Sequence, residues 1–152
     1  MSNVGRVAHV VTAAPVGYDG VMVDVECDMK AGLPSLQIVG LGSKAIDEAK
    51  ERVRSAIANS QLDFPPKKFV INLAPAELPK DGSHYDLPIA VAILVASGQL
   101  QQYEVKNSYS PENWGLMGSC GQSVEVFQLP KLREIISVTL YLYPRTMLLK
   151  LA

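Results

Sequence analysis

Cysteine is nearly absent from this 152-residue chain: Cys27 and Cys120 stand apart, with only two histidines to join them. So few ligands build neither a disulfide framework nor a zinc site of clustered Cys and His. Charge of one sign is not in excess either, with 14 Lys and Arg against 15 Asp and Glu, a net of −1. The chain as a whole is therefore not drawn to nucleic acid or to an anionic membrane, although a local basic patch could be. Long apolar runs are missing. Leu87 to Ala96 is the longest, too short to span a bilayer, and Met1 to Gly5 lack the basic start and apolar core of a secretory signal. These absences predict a cytoplasmic protein with no membrane partner. Gly-Lys-Ser and Gly-Lys-Thr occur nowhere, so the chain cannot hold a triphosphate and Mg²⁺ in the P-loop manner. What is present is an apolar fraction of 48%, on a length suited to one domain with a real core.

Residues Val4 to Ala14, rich in Val and Ala, predict a first strand, and Gly17-Tyr-Asp-Gly20 supplies hairpin turn chemistry. Val21, Val23, Val25 and Cys27 alternate with Met22, Asp24, Glu26 and Asp28, the period of a half-buried antiparallel strand with one wet face. Gly32-Leu-Pro34 breaks the chain before a short strand, Leu36 to Val39. A helix follows, with Ser43 as its natural N-cap and Ile46, Ala49, Val53, Ala56 and Ile57 on one face. Glu48 and Arg52, four apart, are set to pair on its outer face. Phe69 to Leu73 predicts a fourth strand. Asp86 is then expected to cap an apolar helix from Leu87 to Ser97, with Pro88 in its first turn and Gly98 just past its end. A helix with no polar face must be covered on all sides, which puts it at the centre of the core.

The candidate chemistry is sparse. Gly40-Leu-Gly-Ser-Lys44 opens a helix and could cradle phosphate on its amides, but its glycine spacing is not that of a Walker A loop and an ordinary strand-to-helix turn is the better reading. Lys80, Asp81, Gly82, Ser83 and His84 crowd the mouth of the apolar helix. Ser83 and His84 are sequence neighbours whose side chains normally point apart, so a nucleophile–base pair is not expected there. Lys50, Arg52, Arg54, Lys67 and Lys68 could meet nucleic-acid phosphates. The first three share their helix with Asp47, Glu48 and Glu51, which favours a solvated, salt-bridged face instead.

Three segments go beyond periodicity. They are Gly32-Leu-Pro-Ser-Leu-Gln-Ile-Val-Gly-Leu41, Glu51-Arg-Val-Arg-Ser-Ala-Ile-Ala-Asn-Ser60, and Val70-Ile-Asn-Leu-Ala-Pro-Ala-Glu-Leu-Pro-Lys-Asp-Gly82 running on to Asp86-Leu-Pro-Ile-Ala90. Together, from about Val7 to Leu100, they closely resemble the N-terminal domain of the ComM/YifB-type Mg-chelatase-like AAA+ ATPases. The resemblance implies an α+β fold like ribosomal protein S5 domain 2, shared with the proteolytic domain of Lon: a mixed sheet packed with two main helices. It also implies a full-length hexameric ATPase, linked to DNA branch migration in natural transformation. DNA, or further copies of the chain, are then the expected partners, and ATP and Mg belong only to the full-length relatives. Lon-type peptidases carry Pro-Lys-Asp-Gly-Pro-Ser-Ala-Gly at this helix mouth. Pro79, Lys80, Asp81 and Gly82 match it, but the nucleophile position is His84, and Ser83 comes one place too early. The resemblance therefore implies no peptidase, no catalytic residue, no cofactor, no metal and no small-molecule substrate in this chain.

The expected organisation is a family domain over residues 1–100 and an irregular tail over residues 101–152. The family continues with Gly-Glu-Leu-x-Leu-Asp-Gly-x-Leu-Arg-Pro, which the tail does not contain. The codons of Pro111 to Gln122, read from each third base, permit Gly-Glu-Leu-Gly-Leu-Asp-Gly-x-Leu-Arg-Pro. Those of Tyr143 to Leu151, in the same frame, permit the later family run Pro-x-x-Asn-Ala-Ala-Glu-Ala. Two matches in one frame and in family order predict a frameshift between about Leu100 and Pro111. Residues beyond it would not have been selected to fold, so poor order is expected there.

Overall fold

The computed structural model describes residues 6–16, 19–40, 43–78, 85–103 and 105. The chain forms β1 (Arg6–Val16), β2 (Asp19–Lys30), β3 (Ser35–Val39), α1 (Ser43–Asn59), β4 (Lys68–Ala74) and α2 (Asp86–Ala96). The strands make one mixed sheet in the order β1-β2-β4-β3, antiparallel except for the β3–β4 pair. This is the α+β class expected from the sequence, with a mixed sheet and two helices.

Period-two alternation in every strand sorts the sheet into two faces. The register row Ala8–Cys27–Ile71–Ile38 crosses all four strands, and each of its residues is buried. A second row, Val10–Val25–Leu73, lies beside it. The next residues along each strand, His9, Glu26, Asn72 and Val39, fall on the opposite face, which no described helix covers. β1 runs on to Val16 because its ladder with β2 continues to the Val16–Asp19 pair. Pro15 is tolerated near that end because β1 is an edge strand.

α2 crosses the inner face over β1 and β2, and α1 packs beside it. Residues Pro88 to Ala96 are all buried, so the helix without a polar face is the centre of the core. Each buried Ile, Leu or Val there contributes about 2 kcal/mol relative to exposure. Gly40, between β3 and α1, has φ +101°, and a Cβ on it would lie 2.7 Å from the Leu73 carbonyl oxygen. The glycine lets the chain leave β3 hard against β4, a packing reason that accounts for it without a bound phosphate.

The packed unit does not stop at Leu100. Val105 is buried in the same core, and the Gln102 carboxamide bonds the β1 edge at His9, accepting from its N–H at 2.9 Å and donating to its carbonyl at 2.6 Å. The remaining residues of the expected tail lie outside the described residues, as do Gly17, Tyr18 and the segment from Pro79 to His84. No helix among the described residues is long and apolar enough to cross a membrane.

Candidate functional site

The five cations singled out in the sequence fall into two groups. Arg52 projects from α1 toward the start of α2. Its Nε donates to Asp86 Oδ2 at 2.5 Å and its Nη2 to Oδ1 at 3.2 Å, while Nη1 lies 3.5 Å from Glu48. Asp86 is only 4% exposed, so this two-pronged pair compensates a carboxylate that water cannot reach. The capping role expected of Asp86 is corrected: Tyr85 holds the N-cap position without a side-chain cap bond, and Asp86 sits in the first helical turn. There its charge also favours the positive end of the helix dipole.

Lys50 and Arg54 are engaged as well. Lys50 Nζ lies 3.5 Å from Asp47, one turn back on α1. The Arg54 guanidinium stands 5.4 Å from the centre of the Phe64 ring, which meets Phe69 edge-on at 5.4 Å. Of the three helix-borne candidates, Arg52 is bound into the fold, and Lys50 and Arg54 carry local partners on the surface.

Lys67 and Lys68 differ. They open β4, and neither makes an ion pair among the described residues. The Lys67 backbone is fixed, its N–H donating to the Pro65 carbonyl at 2.8 Å and its carbonyl accepting from Ser35 at 3.3 Å. Lys30, the last residue of β2, is the register partner of Lys68. Its ammonium reaches Asp28 at 2.8 Å. Lys30 was missed in the sequence because nothing local to it shows that β4 inserts between β2 and β3 and brings the lysines together.

Along β2 the outer face runs from Asp24 through Glu26 and Asp28 to Lys30. Glu26 lies 3.5 Å from His9, its cross-strand neighbour. The face is thus acidic along its middle and basic at the β4 entrance. Cys27, on the inner face, is inert: burial, helped by the Asp28 charge, pushes its thiol from 9.0 up to about 12. Among the described residues no group of three or more His, Cys, Asp and Glu is placed to hold a metal ion. Lys80, Asp81, Gly82, Ser83 and His84, the crowded helix mouth, lie outside the described residues.

Comparison with known proteins adds the context. The family model of subunit ChlI of Mg-chelatase matches residues 25–128. The uncharacterized protein YifB of Salmonella typhimurium is 54% identical over 93 residues, covering 61% of this chain and 18% of that protein. The competence protein ComM of Haemophilus influenzae is 44% identical over 99 residues, 65% of this chain and 19% of that protein. An uncharacterized protein of Mycobacterium tuberculosis is 38% identical over 92 residues. The chain spans about a fifth of the length of these curated relatives.

Proposed function

The chain belongs to the family of subunit ChlI of Mg-chelatase, and from that membership we propose that it is the N-terminal domain of a ComM/YifB-type AAA+ ATPase. The carrying observation is the identity of 54% with YifB, sustained over 93 residues. These 152 residues contain no Gly-Lys-Ser or Gly-Lys-Thr, so they do not themselves supply the loop that would cradle a triphosphate. We further propose a frameshift near residues 100–111 with an out-of-frame tail behind it, on the codon readings of Pro111 to Gln122 and Tyr143 to Leu151, although the family model runs on to residue 128.

In this reading the domain is a cytoplasmic binding and assembly module and not an enzyme. With His84 at the position where Lon-type peptidases carry serine, it has no hydroxyl for an acyl intermediate. In the full-length protein the domain supports hexamer assembly and DNA engagement. A stand-alone nucleic-acid-binding module is the second reading, and Lys67 and Lys68, without carboxylate partners among the described residues, favour it. Phosphate release from ATP, with and without DNA, tests the first reading. The purified chain should show no turnover above the buffer blank, and turnover abolished by His84→Ala would show a hydrolase at the α2 mouth.

A further inference from the structure

The sheet order forces the β2–β3 connection over the end of β4, because β4 lies between the strands that this connection joins. The crossover is the four residues Ala31 to Pro34, all exposed. Leu33 at its tip is 87% exposed, the most exposed large apolar side chain among the described residues. A lone exposed leucine is ordinary. This one is held among lysines. Lys30 precedes it on β2, Lys68 is the register partner of both Lys30 and Ser35, and a Cβ on Gly32 would lie 3.8 Å from that of Lys68. Lys67 is tied by its carbonyl to the Ser35 N–H.

Two lysines directly opposite each other across paired strands repel. Asp28 relieves Lys30, whereas Lys68 and its neighbour Lys67 have no carboxylate among the described residues. An arriving anion would supply what the fold does not. We infer that this end of the sheet is a contact for duplex DNA, in which Lys30, Lys67 and Lys68 take backbone phosphates and Leu33, backed by Pro34, wedges against a base step. Leucine and proline are side chains that proteins insert from the minor groove to open a step. The acidic column Asp24, Glu26 and Asp28 repels phosphate from the rest of the outer face, so the duplex meets the sheet end-on. The inference rests on the DNA-engagement reading above and specifies where it happens; no base is read, so binding is independent of sequence.

The test is fluorescence anisotropy of a labelled 20-base-pair duplex titrated with the full chain between 50 and 200 mM salt. Each phosphate contact adds about 0.9 to the slope of log affinity against log salt, so three lysines predict a slope near ~2.7 in magnitude. K67A/K68A should lower that slope by about 1.8, the part that accounts for a ~12-fold fall in affinity over this salt range. Leu33→Ser should weaken binding about five- to tenfold through lost apolar contact while leaving the slope unchanged. Leu33 and Lys67 are exposed and Lys68 is half-buried outside the apolar core, so both variants should melt near the wild-type temperature. Wild-type binding that neither variant alters, with Lys50→Ala or Arg54→Ala weakening it instead, overturns this placement but leaves DNA engagement standing. No binding by the wild-type chain at 50 mM salt overturns both.

Discussion

α1 and α2 lie side by side beneath the same sheet, yet they are built on opposite plans. α1 keeps an apolar face inward at Ala49, Val53, Ala56 and Ile57 and carries acids and bases outward. α2 is buried all round from Pro88 to Ala96. They are linked where Arg52 from the charged helix holds Asp86 at the start of the apolar one. The difference teaches where function is not. The cations on α1 that looked available in the sequence are occupied, one in the fold and two by local partners. Lys67 and Lys68, at the entrance of β4, have no carboxylate partner among the described residues.

The largest effect should come from breaking the Arg52–Asp86 pair between the helices. Arg52→Ala removes two charge-assisted hydrogen bonds from a buried carboxylate and should cost about 3 kcal/mol in urea denaturation. R52A/D86N, which removes the buried charge as well, should recover most of that loss. If Arg52→Ala is neutral, the pair is a surface contact and the contrast between the helix cations and the β4 cations fails.

The smallest effect concerns how the two helices end. In α2 the Gln99 N–H bonds the Leu94 carbonyl at 2.9 Å and the Gly98 N–H bonds Val95 at 3.0 Å, with Gly98 at φ +80°. α1 repeats the pattern, Leu62 to Ile57 and Gln61 to Ala58, each at 3.2 Å. Here the left-handed position, φ 55°, holds Gln61 in place of glycine. Gln61→Gly should therefore stabilise the chain by ~0.5–1 kcal/mol, read as a raised urea midpoint with an unchanged slope. A loss of stability would mean that the glutamine side chain contributes more than its backbone strain costs.

Much of this architecture was legible in the sequence. The alternation of Val23, Val25 and Cys27 with Asp24 and Glu26 predicts a half-buried strand, and the unbroken apolar run from Leu87 predicts a central helix. Both patterns are local. The features that position the candidate site are not. Arg52 finds Asp86 across 34 residues, and the Gln99 carboxamide brackets the Asp63 backbone across 36. Gln102 does the same at His9 across 93 residues. Lys30 joins Lys68 only because β4 inserts beside β2. Such partnerships are decided by strand order and helix packing, which no residue period encodes. The cap expected at Asp86 failed because the N-cap position falls one residue earlier, at Tyr85, which puts the Asp86 carboxylate inside the first turn.

We propose that a shift of frame lies between about residues 100 and 111 of this Mg-chelatase-type domain, and the encoding DNA tests that most directly. The encoding strand should be sequenced from the codon of Ser97 through the stop and beyond. The account predicts that correcting one or two bases between the codons of Leu100 and Pro111 restores Gly-Glu-Leu and opens a frame that runs on into a Walker A loop. A frame that is sound as written, with no Walker A sequence downstream in any frame, would contradict it and leave a small binding protein in its place.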